Sequence, residues 1–272
     1  MAKELTIAFI GGGTMAEAIL SGIQNSGMIT IGNIAVGEPV AQRREYLSSQ
    51  RGVQVTSDNL KAIEGAQVVV LAVKPQQLEV VMAGLQGKLA ASQVVMSIVA
   101  GAAVETIAAG LDHPAVIRVM PNTPAQVGHG MSVWTAAPEV SGAHTDVVRE
   151  MLKTMGQEIY VADEKYLDMA TALSASGPAY VFLFLEALID AGVYLGLSRN
   201  MSQALAIQTV QGSAALAMES GKHPAELRNM VTSPGGTTAE ALLALEEEGF
   251  RGILINAVIA AYEKAIALGE ED

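Results

Sequence analysis

The chain has 272 residues, half of them hydrophobic and 16% charged, and this apolar fraction excludes a disordered protein because it can form a core. The 16 basic and 28 acidic residues give a formal charge of −12, which disfavours binding to nucleic acid or anionic membranes. The absence of cysteine excludes disulfides, zinc–thiolate sites and thiol nucleophiles.

No targeting segment is expected, because the first five residues lack the charged and apolar pattern of a leader peptide. Residues 178–197 form a long apolar window that has the length of a membrane-spanning helix. This window contains Glu186 and Asp190, which would be costly to bury in lipid. We therefore predict a core helix and a cytoplasmic protein.

Residues 1–162 alternate short β-rich runs with helical stretches. The predicted strands lie at 7–10, 34–36, 53–55, 68–73, 94–99, 116–120, 131–134 and 158–161. The run at 68–73 is apolar without alternation, which is typical of a strand covered on both faces. The fold class is therefore α/β: a parallel, doubly wound sheet in an N-terminal Rossmann-type domain, with the last two strands at its far edge.

Residues 163–272 lack strand-like runs and are rich in Ala, Leu, Met and Glu, which predicts an all-helical domain. The predicted helices lie near 164–174, 178–196, 199–219, 223–230, 237–247 and 250–268. Those at 178–197 and 200–218 are apolar nearly all round and are expected to be buried on every side. A helical domain of this size has difficulty burying so much surface alone, so we predict an obligate dimer with interleaved helices.

The first predicted strand is followed by a glycine turn. Gly11, Gly13 and Ala16 fill the G-x-G-x-x-G/A pattern between this strand and a helix. Gly11 permits the tight turn, and Gly13 leaves room for a pyrophosphate to approach the main chain. The helix N-terminus offers N–H groups and a partial positive charge to phosphates. This pattern predicts a dinucleotide site.

The residues after the second strand leave the choice of dinucleotide open. Glu38 could bind a ribose 2′-hydroxyl and favour NAD, whereas Arg43 and Arg44 could hold a 2′-phosphate. Lys74 follows the fourth strand, at the sheet edge that lines the ligand crevice, where it would approach the ribose and nicotinamide.

A second candidate site lies in the helical region, where residues 233–238 read Ser-Pro-Gly-Gly-Thr-Thr before a helix start. The N–H groups of Gly236, Thr237 and Thr238 would form an anion nest with hydroxyls beside it. Such a nest suits a small carboxylate and needs no arginine. The four histidines show no catalytic or metal-ligand spacing, so each is predicted to be a surface or loop residue, and no metal is expected.

Motifs along the whole chain resemble those of pyrroline-5-carboxylate reductases. They are Ala72-Val-Lys-Pro75, Arg118-Val-Met-Pro-Asn-Thr-Pro124, Leu173-Ser-Ala-Ser-Gly-Pro-Ala-Tyr180 and Val231-Thr-Ser-Pro-Gly-Gly-Thr-Thr-Ala239. The resemblance implies a Rossmann-type domain, a helical domain that interlocks with a second subunit, and dimers that often assemble into decamers. It also implies reduction of Δ1-pyrroline-5-carboxylate to L-proline with NADPH or NADH.

The resemblance also implies two sets of contacts. The cofactor contacts would be Gly11, Gly12, Gly13, Thr14, Met15, Asn59, Ala72, Val73, Lys74, Pro75, Val99, Ala100 and Gly101. The substrate contacts would be Glu164, Ser174, Ser176, Gly235, Gly236, Thr237 and Thr238. We expect Thr238 to hydrogen-bond the ring nitrogen of the substrate. Glu164 would supply negative charge to the iminium; the alternative for Glu164 is an ordinary carboxylate in a first helical turn.

Two other functions stand as alternatives. A β-hydroxyacid dehydrogenase or related imine reductase would use a helical lysine as general acid, usually with an asparagine partner. Lys165 lies on the expected helix, but the next turns contain no asparagine. A nucleotide sensor without turnover would not need the separate anion nest. The sequence therefore favours the last reductive step of proline biosynthesis.

Overall fold

The structure is a computed structural model that describes residues 5–270, without the side chain of residue 270. The expectation that the N-terminus carries no leader peptide falls mainly on residues 1–4, which lie outside the described residues.

An eight-stranded sheet dominates the N-terminal part, in the order β3-β2-β1-β4-β5-β6-β7-β8. The strands are β1 (Ile7–Ile10), β2 (Ile34–Gly37), β3 (Gln54–Thr56), β4 (Val68–Leu71), β5 (Val94–Ser97), β6 (Val116–Met120), β7 (Gly130–Ala136) and β8 (Gly156–Tyr160). The first six pair in parallel, β7 runs antiparallel to β6, and β8 is parallel to β7. The predicted doubly wound sheet, with two added strands at its far edge, is confirmed.

Helices follow most strands and then form the rest of the chain. Within residues 5–270 they are α1 (Thr14–Asn25), α2 (Ala41–Arg51), α3 (Asn59–Ile63), α4 (Pro75–Leu85), α5 (Val104–Leu111), α6 (Gly142–Lys153), α7 (Lys165–Ala170), α8 (Gly177–Tyr194), α9 (Arg199–Ser220), α10 (Pro224–Met230), α11 (Thr237–Glu247) and α12 (Phe250–Glu270). A π-helical turn, Thr171–Ala175, joins α7 to α8. The mixed α/β class with a helical C-terminal part is therefore confirmed.

Helices cover both faces of the sheet, which explains the apolar runs of its central strands. Every residue of β1, β4, β5 and β6 is buried. On one face, α1 and α6 enclose a cluster that includes Phe9 and Trp134. On the other face, α3, α4 and α5 enclose a cluster that includes Val69 and Ile107. A strand that is buried on both faces has no polar side to alternate with the apolar one.

Trp134, the single tryptophan of the chain, is fully buried in β7. Its indole N–H donates to the Glu158 carboxylate at 2.6 Å, and its ring meets Tyr160 edge-on with 4.9 Å between the centroids. Both partners belong to β8. This cluster fixes the last strand on the edge of the sheet.

Two strands end earlier than predicted, because the chain leaves the sheet at its carboxyl edge. The run predicted over 68–73 is a strand only to Leu71, and the run predicted over 94–99 only to Ser97. The N–H of Ala72 still donates to the carbonyl of Ile10 at 2.8 Å. The residues that follow these strands are therefore free to line a crevice.

The chain divides into two compact units by its contacts. One unit runs to Ser176 and includes the chain from Ala261 onward, and the other is Gly177–Ala260. The functional division into residues 1–162 and 163–272 remains a prediction.

The apolar helices lie where they were predicted, but the single chain does not bury them. α8 contains no buried residue, and α9 buries only Ser202 and Ala206. Phe182 and Leu183 expose 62% and 68% of their surface. By length and composition alone, Lys165–Tyr194 and Phe250–Gly269 could each cross a membrane. The expected burial on every side is therefore not achieved within one chain.

His113 lies in the loop between α5 and β6, and this loop residue is buried. His113 is only 4% exposed, and its Nε2 lies 2.8 Å from the carbonyl oxygen of Gln93. Asp112, with φ of 53°, ends α5 and turns the chain inward directly before it. The predicted loop position is therefore correct for His113, and the burial of its ring is what the sequence did not indicate.

Candidate active site

The turn between β1 and α1 passes close to the end of β4. Gly11 has φ of 95°, and a Cβ there would lie 2.6 Å from the carbonyl oxygen of Ala72. Gly11 also donates its N–H to the carbonyl of Gly37 at 2.8 Å. Both the left-handed conformation and the close approach require glycine.

Gly13 has the opposite surroundings. A Cβ at this position would meet no atom within 4 Å. The first hydrogen bond of α1 runs from the Glu17 N–H to the Gly13 carbonyl, so the N–H groups of Thr14, Met15 and Ala16 have no acceptor within the helix. The open space beside Gly13 therefore faces the positive end of a helix, which suits a pyrophosphate.

Both backbone polar groups of Gly12, its N–H and its carbonyl oxygen, are hydrogen-bonded to side chains. Its N–H donates to Glu38 Oε2 at 2.9 Å, and its carbonyl oxygen accepts from Arg43 Nε at 2.6 Å. A Cβ at Gly12 would also lie 2.5 Å from a methyl group of Leu47. The β2–α2 segment thus fixes the glycine turn in shape before any ligand arrives.

Glu17 anchors the arginines behind this turn. It pairs with Arg43 at 2.6 Å and with Arg51 at 2.7 Å, and it accepts from the Tyr46 hydroxyl at 3.0 Å. Burial works against its ionisation, but these hydrogen bonds outweigh burial and hold the pKa of Glu17 below its ordinary value. Arg43 therefore braces α1 against α2.

A cavity of about 520 Å³ opens at the carboxyl ends of β1, β2 and β4. The predicted cofactor residues that line it are Gly11, Gly12, Gly13, Glu38, Asn59, Ala72, Val73 and Lys74. The sequence did not predict the remaining lining residues, which are Ile10, Gly37, Pro39, Val40, Ser57, Gln76, Gln77, Val80 and Val81. Several of these lie on α4, whose start at Pro75, directly after Lys74, was the available signal.

The other predicted cofactor residues lie outside the lining of this cavity. They are Thr14, Met15, Arg43, Pro75, Val99, Ala100 and Gly101. Gly101 has φ of 80°, and a Cβ there would lie 3.1 Å from Cβ of Leu268, near the end of α12. The last helix therefore packs on the loop that follows β5.

Arg118 on β6 forms the most buried ion pairs of the described chain. Its side chain is 4% exposed, and it donates to Glu164 Oε1 and to Asp168 Oδ1, both at 2.8 Å. Glu164 Oε1 also accepts from the Val104 N–H at 2.9 Å, at the start of α5. Glu164, predicted as a substrate contact, thus fastens α7 to the sheet. An arginine within an apolar strand was the signal for this network.

Asn122, just after β6, fastens the π-helical turn. Its Nδ2 lies 3.3 Å from both the carbonyl oxygen and the hydroxyl of Ser174, and its Oδ1 accepts from the Met131 N–H at 2.8 Å. The N–H of Ser176 donates to the Thr171 carbonyl at 2.9 Å. Single π-helical turns occur often at functional sites. The predicted contacts Ser174 and Ser176 are both half-buried here.

The predicted anion nest lies in the unit Gly177–Ala260. Gly235 has φ of 67°, and Gly236 caps α11. The N–H of Gly236 donates to the Ser233 carbonyl at 3.1 Å, so it closes the turn instead of serving the nest as predicted. The helix begins its backbone bonds at Ala239, which leaves the N–H groups of Thr237 and Thr238 for an anion.

Among the described residues, no three acidic or histidine side chains cluster as a metal site.

Comparison with known proteins gives consistent matches over both parts of the chain. Residues 164–268 match the family model for pyrroline-5-carboxylate reductase dimerisation. Residues 6–101 match the model for NADP oxidoreductases, coenzyme F420-dependent. The two matches correspond to the C-terminal helices and to the first five strands.

Relatives match over the full length. The pyrroline-5-carboxylate reductase of Synechocystis is 43% identical, over 98% of this chain and all of the relative. The solved enzyme of Coxiella burnetii is 35% identical with a TM-score of 0.89, covering 98% of this chain and 99% of that one. The Plasmodium falciparum pyrroline carboxylate reductase, solved with NADP bound, is 32% identical with a TM-score of 0.90, covering 99% and 100%.

The open space at Gly13 leads to a first prediction. Gly13→Val will weaken dinucleotide binding more than about tenfold, because the side chain fills the space that a pyrophosphate needs. The fold will be kept, since nothing lies within 4 Å of the new Cβ. Calorimetric titration and circular dichroism measure the two effects. Gly11→Val, which clashes with Ala72, should instead damage the fold, and normal binding by Gly13→Val would contradict the assignment.

The Arg118 network leads to a second prediction. Arg118→Met will lower the free energy of unfolding by about 2–4 kcal/mol, because it leaves two carboxylates unpaired that are themselves only partly exposed. The matched control is Lys153→Met, which breaks an exposed pair with Glu150 and should cost about 0–1 kcal/mol. Denaturant titration at one protein concentration measures both. Equal effects of the two variants would show that the Arg118 network does not stabilise the unit.

Proposed function

The chain belongs to the pyrroline-5-carboxylate reductase family, and we propose that it reduces Δ1-pyrroline-5-carboxylate to L-proline with NADPH or NADH, the last step of proline biosynthesis. The observation that carries the proposal is the full-length identity with reductases of this name, 43% in the Synechocystis relative. The open glycine turn and the Thr237–Thr238 donors provide the two kinds of binding group that this reaction needs.

The glycine turn fits a nicotinamide dinucleotide. Gly13 leaves space for a pyrophosphate, and the N–H groups of Thr14 and Met15 offer hydrogen bonds to it. We propose that Asn59 and the 72–75 segment contact the ribose groups, with Lys74 at the cavity wall. Val99, Ala100 and Gly101 would lie against the nicotinamide. The bound cofactor supplies the hydride.

The turn before α11 fits the substrate carboxylate. The N–H groups of Thr237 and Thr238 lie at the start of α11, where the first backbone hydrogen bond of the helix is donated by Ala239. Gly235 and Gly236 form the turn before them. We propose that Thr238 is the catalytic residue, with its hydroxyl hydrogen-bonded to the ring nitrogen. The imine carries a proton from water, so the carbon gains the hydride and the nitrogen keeps the proton.

We propose that Glu164, Ser174 and Ser176 also contact the substrate. Arg118 contacts Glu164 at the start of the segment 164–176 and Asn122 contacts Ser174 near its end, so the Ser174 hydroxyl has a fixed position. Oε1 of Glu164 carries the contacts to Arg118 and Val104. In this proposal Glu164 supplies negative charge toward the iminium while it anchors α7.

A hydroxyacid-dehydrogenase mechanism is disfavoured by the surroundings of Lys165. Its ammonium pairs with Asp163 at 2.7 Å, and the hydrogen bond and charge of Asp163 raise the pKa of Lys165. A raised pKa opposes the proton donation that a general acid must perform. The nucleotide-sensor alternative leaves the donors of Thr237 and Thr238 without a role.

We propose a homodimer, with decamers as a higher assembly, formed through residues 163–272, while residues 1–162 bind the dinucleotide. The dimerisation model matches residues 164–268, and the helices there expose large apolar side chains within one chain. A protein partner suits this surface better than lipid, because α8 carries Glu186 and Asp190. We place the protein in the cytoplasm, with a small-molecule substrate and no nucleic-acid or membrane partner.

Turnover tests the proposed activity directly. Loss of nicotinamide absorbance on addition of Δ1-pyrroline-5-carboxylate, with proline as product, is the expected result. Turnover only with a keto acid would support the hydroxyacid-dehydrogenase alternative. Binding of both ligands without turnover would support the sensor.

Thr238 provides the third prediction. Thr238→Ala will lower kcat by about tenfold to a hundredfold, because the hydroxyl near the ring nitrogen is lost. The Kd for NADPH will stay nearly unchanged. Thr238→Ser keeps a hydroxyl and should recover most of the turnover. Unchanged steady-state kinetics in Thr238→Ala would remove this residue from the site.

The exposed helices provide the fourth prediction. Light scattering at micromolar concentration will show a dimer or a multiple of it, because the helical surface requires a cover. Leu183→Glu on α8 will weaken assembly. Val127→Glu, at an apolar position that is 73% exposed outside the helical unit, will not. A stable wild-type monomer would contradict the proposed assembly.

A further inference from the structure

Glu38 places a buried carboxylate in the wall of the dinucleotide cavity. The residue is 8% exposed, and it lies directly after β2. Its Oε2 accepts from the Gly12 N–H and its Oε1 from the Val40 N–H, both at 2.9 Å. Among the described residues, no lysine or arginine pairs with this carboxylate within 4 Å. The cavity wall therefore holds a carboxylate that is hydrogen-bonded to two backbone N–H groups and is not ion-paired within the described chain, although Lys74 lines the same cavity.

The two nearby arginines have other partners. Arg43 donates to the Gly12 carbonyl and to Glu17, and its guanidinium lies 4.8 Å from the centre of the Tyr46 ring. Arg44 donates to the carbonyls of Glu38 and Pro39, both at 2.7 Å. A 2′-phosphate placed beside Glu38 would therefore face its carboxylate, and neither arginine lines the cavity to offset this charge.

We infer that Glu38 determines which dinucleotide this chain prefers, and that it selects NADH over NADPH. The inference rests on the proposed function. Each oxygen of Glu38 accepts one backbone N–H and keeps a lone pair for a ribose 2′-hydroxyl, which can donate to it. A 2′-phosphate has two negative charges and little to donate, so Glu38 repels it in a partly buried site. NADPH is still bound and used, but more weakly.

Binding measurements without substrate test the inference. Calorimetric titration gives the Kd of NADH and NADPH, and of the fragments 5′-AMP and adenosine 2′,5′-bisphosphate, which differ by the same 2′-phosphate. The wild type should bind NADH about tenfold more tightly than NADPH, and 5′-AMP more tightly than the bisphosphate. Tighter binding of the phosphorylated member of either pair would overturn the inference, and this comparison needs no variant.

Variants assign the preference to Glu38. Glu38→Gln removes the charge and should reduce the NADH-to-NADPH preference by about tenfold, mainly through tighter NADPH binding. The matched control is Glu45→Gln, which removes an equal charge from the exposed face of α2 and should leave the ratio unchanged. Circular dichroism verifies that each variant is folded. An equal change in both variants would assign the effect to overall charge and overturn the role of Glu38.

Arg44→Ala tests the opposite hypothesis, in which Arg44 binds the 2′-phosphate and the chain prefers NADPH. If Arg44 leaves its carbonyl partners to hold a 2′-phosphate, this variant will lose affinity for NADPH and not for NADH, and the inference is wrong. We expect both affinities to change alike. A wild type that binds neither dinucleotide would contradict the proposed function itself, whereas equal binding of both would contradict only the role of Glu38.

Discussion

The close passage of the β1–α1 turn beside the end of β4 is the constraint on which the shape of the proposed dinucleotide cavity depends. Gly11 can adopt its left-handed conformation and touch Ala72 only because it lacks a side chain. That contact aims the N-terminus of α1 into the cavity. Glu38 and Arg43 then hold the next residue, Gly12, by its N–H and its carbonyl. The loop is shaped during folding, so little ordering remains to be done when a ligand binds.

The same logic recurs at β6, where two side chains fasten one stretch of chain. Arg118 holds Glu164 and Asp168 at the start of this stretch, and Asn122 holds Ser174 near its end. The π-helical turn Thr171–Ala175 contains Ser174, so Asn122 contacts the turn itself. Because Glu164 also binds the Val104 N–H, the start of α5 and the start of α7 cannot shift independently. The segment 164–176 and the start of α5 are thus connected to the same strand, β6.

Sequence reasoning succeeded where the determinants are local. Apolar runs without alternation identified the central strands, and the pattern around Gly11 and Gly13 identified the cavity. It failed where the role of a residue depends on partners that are distant in the sequence or on the exact backbone geometry of a turn. Glu164 has partners 46 and 60 positions away, so no local pattern could reveal that it anchors a helix. The use of the Gly236 N–H within its own turn depends on backbone geometry. The exposure of α8 within one chain agrees with the sequence-based expectation that a helical domain of this size cannot bury so much apolar surface alone.

The position of Trp134 has a practical consequence. It is the sole indole of the chain. It lies on β7, it is fully buried, and its N–H donates to Glu158 on β8. Its fluorescence therefore reports the unfolding of the unit that contains the sheet and does not report directly on the helices between Gly177 and Ala260. Far-ultraviolet ellipticity, by contrast, reports the helices of both units. Thermal unfolding curves recorded by fluorescence and by ellipticity will coincide if the two units unfold in one cooperative transition, and will separate if they do not.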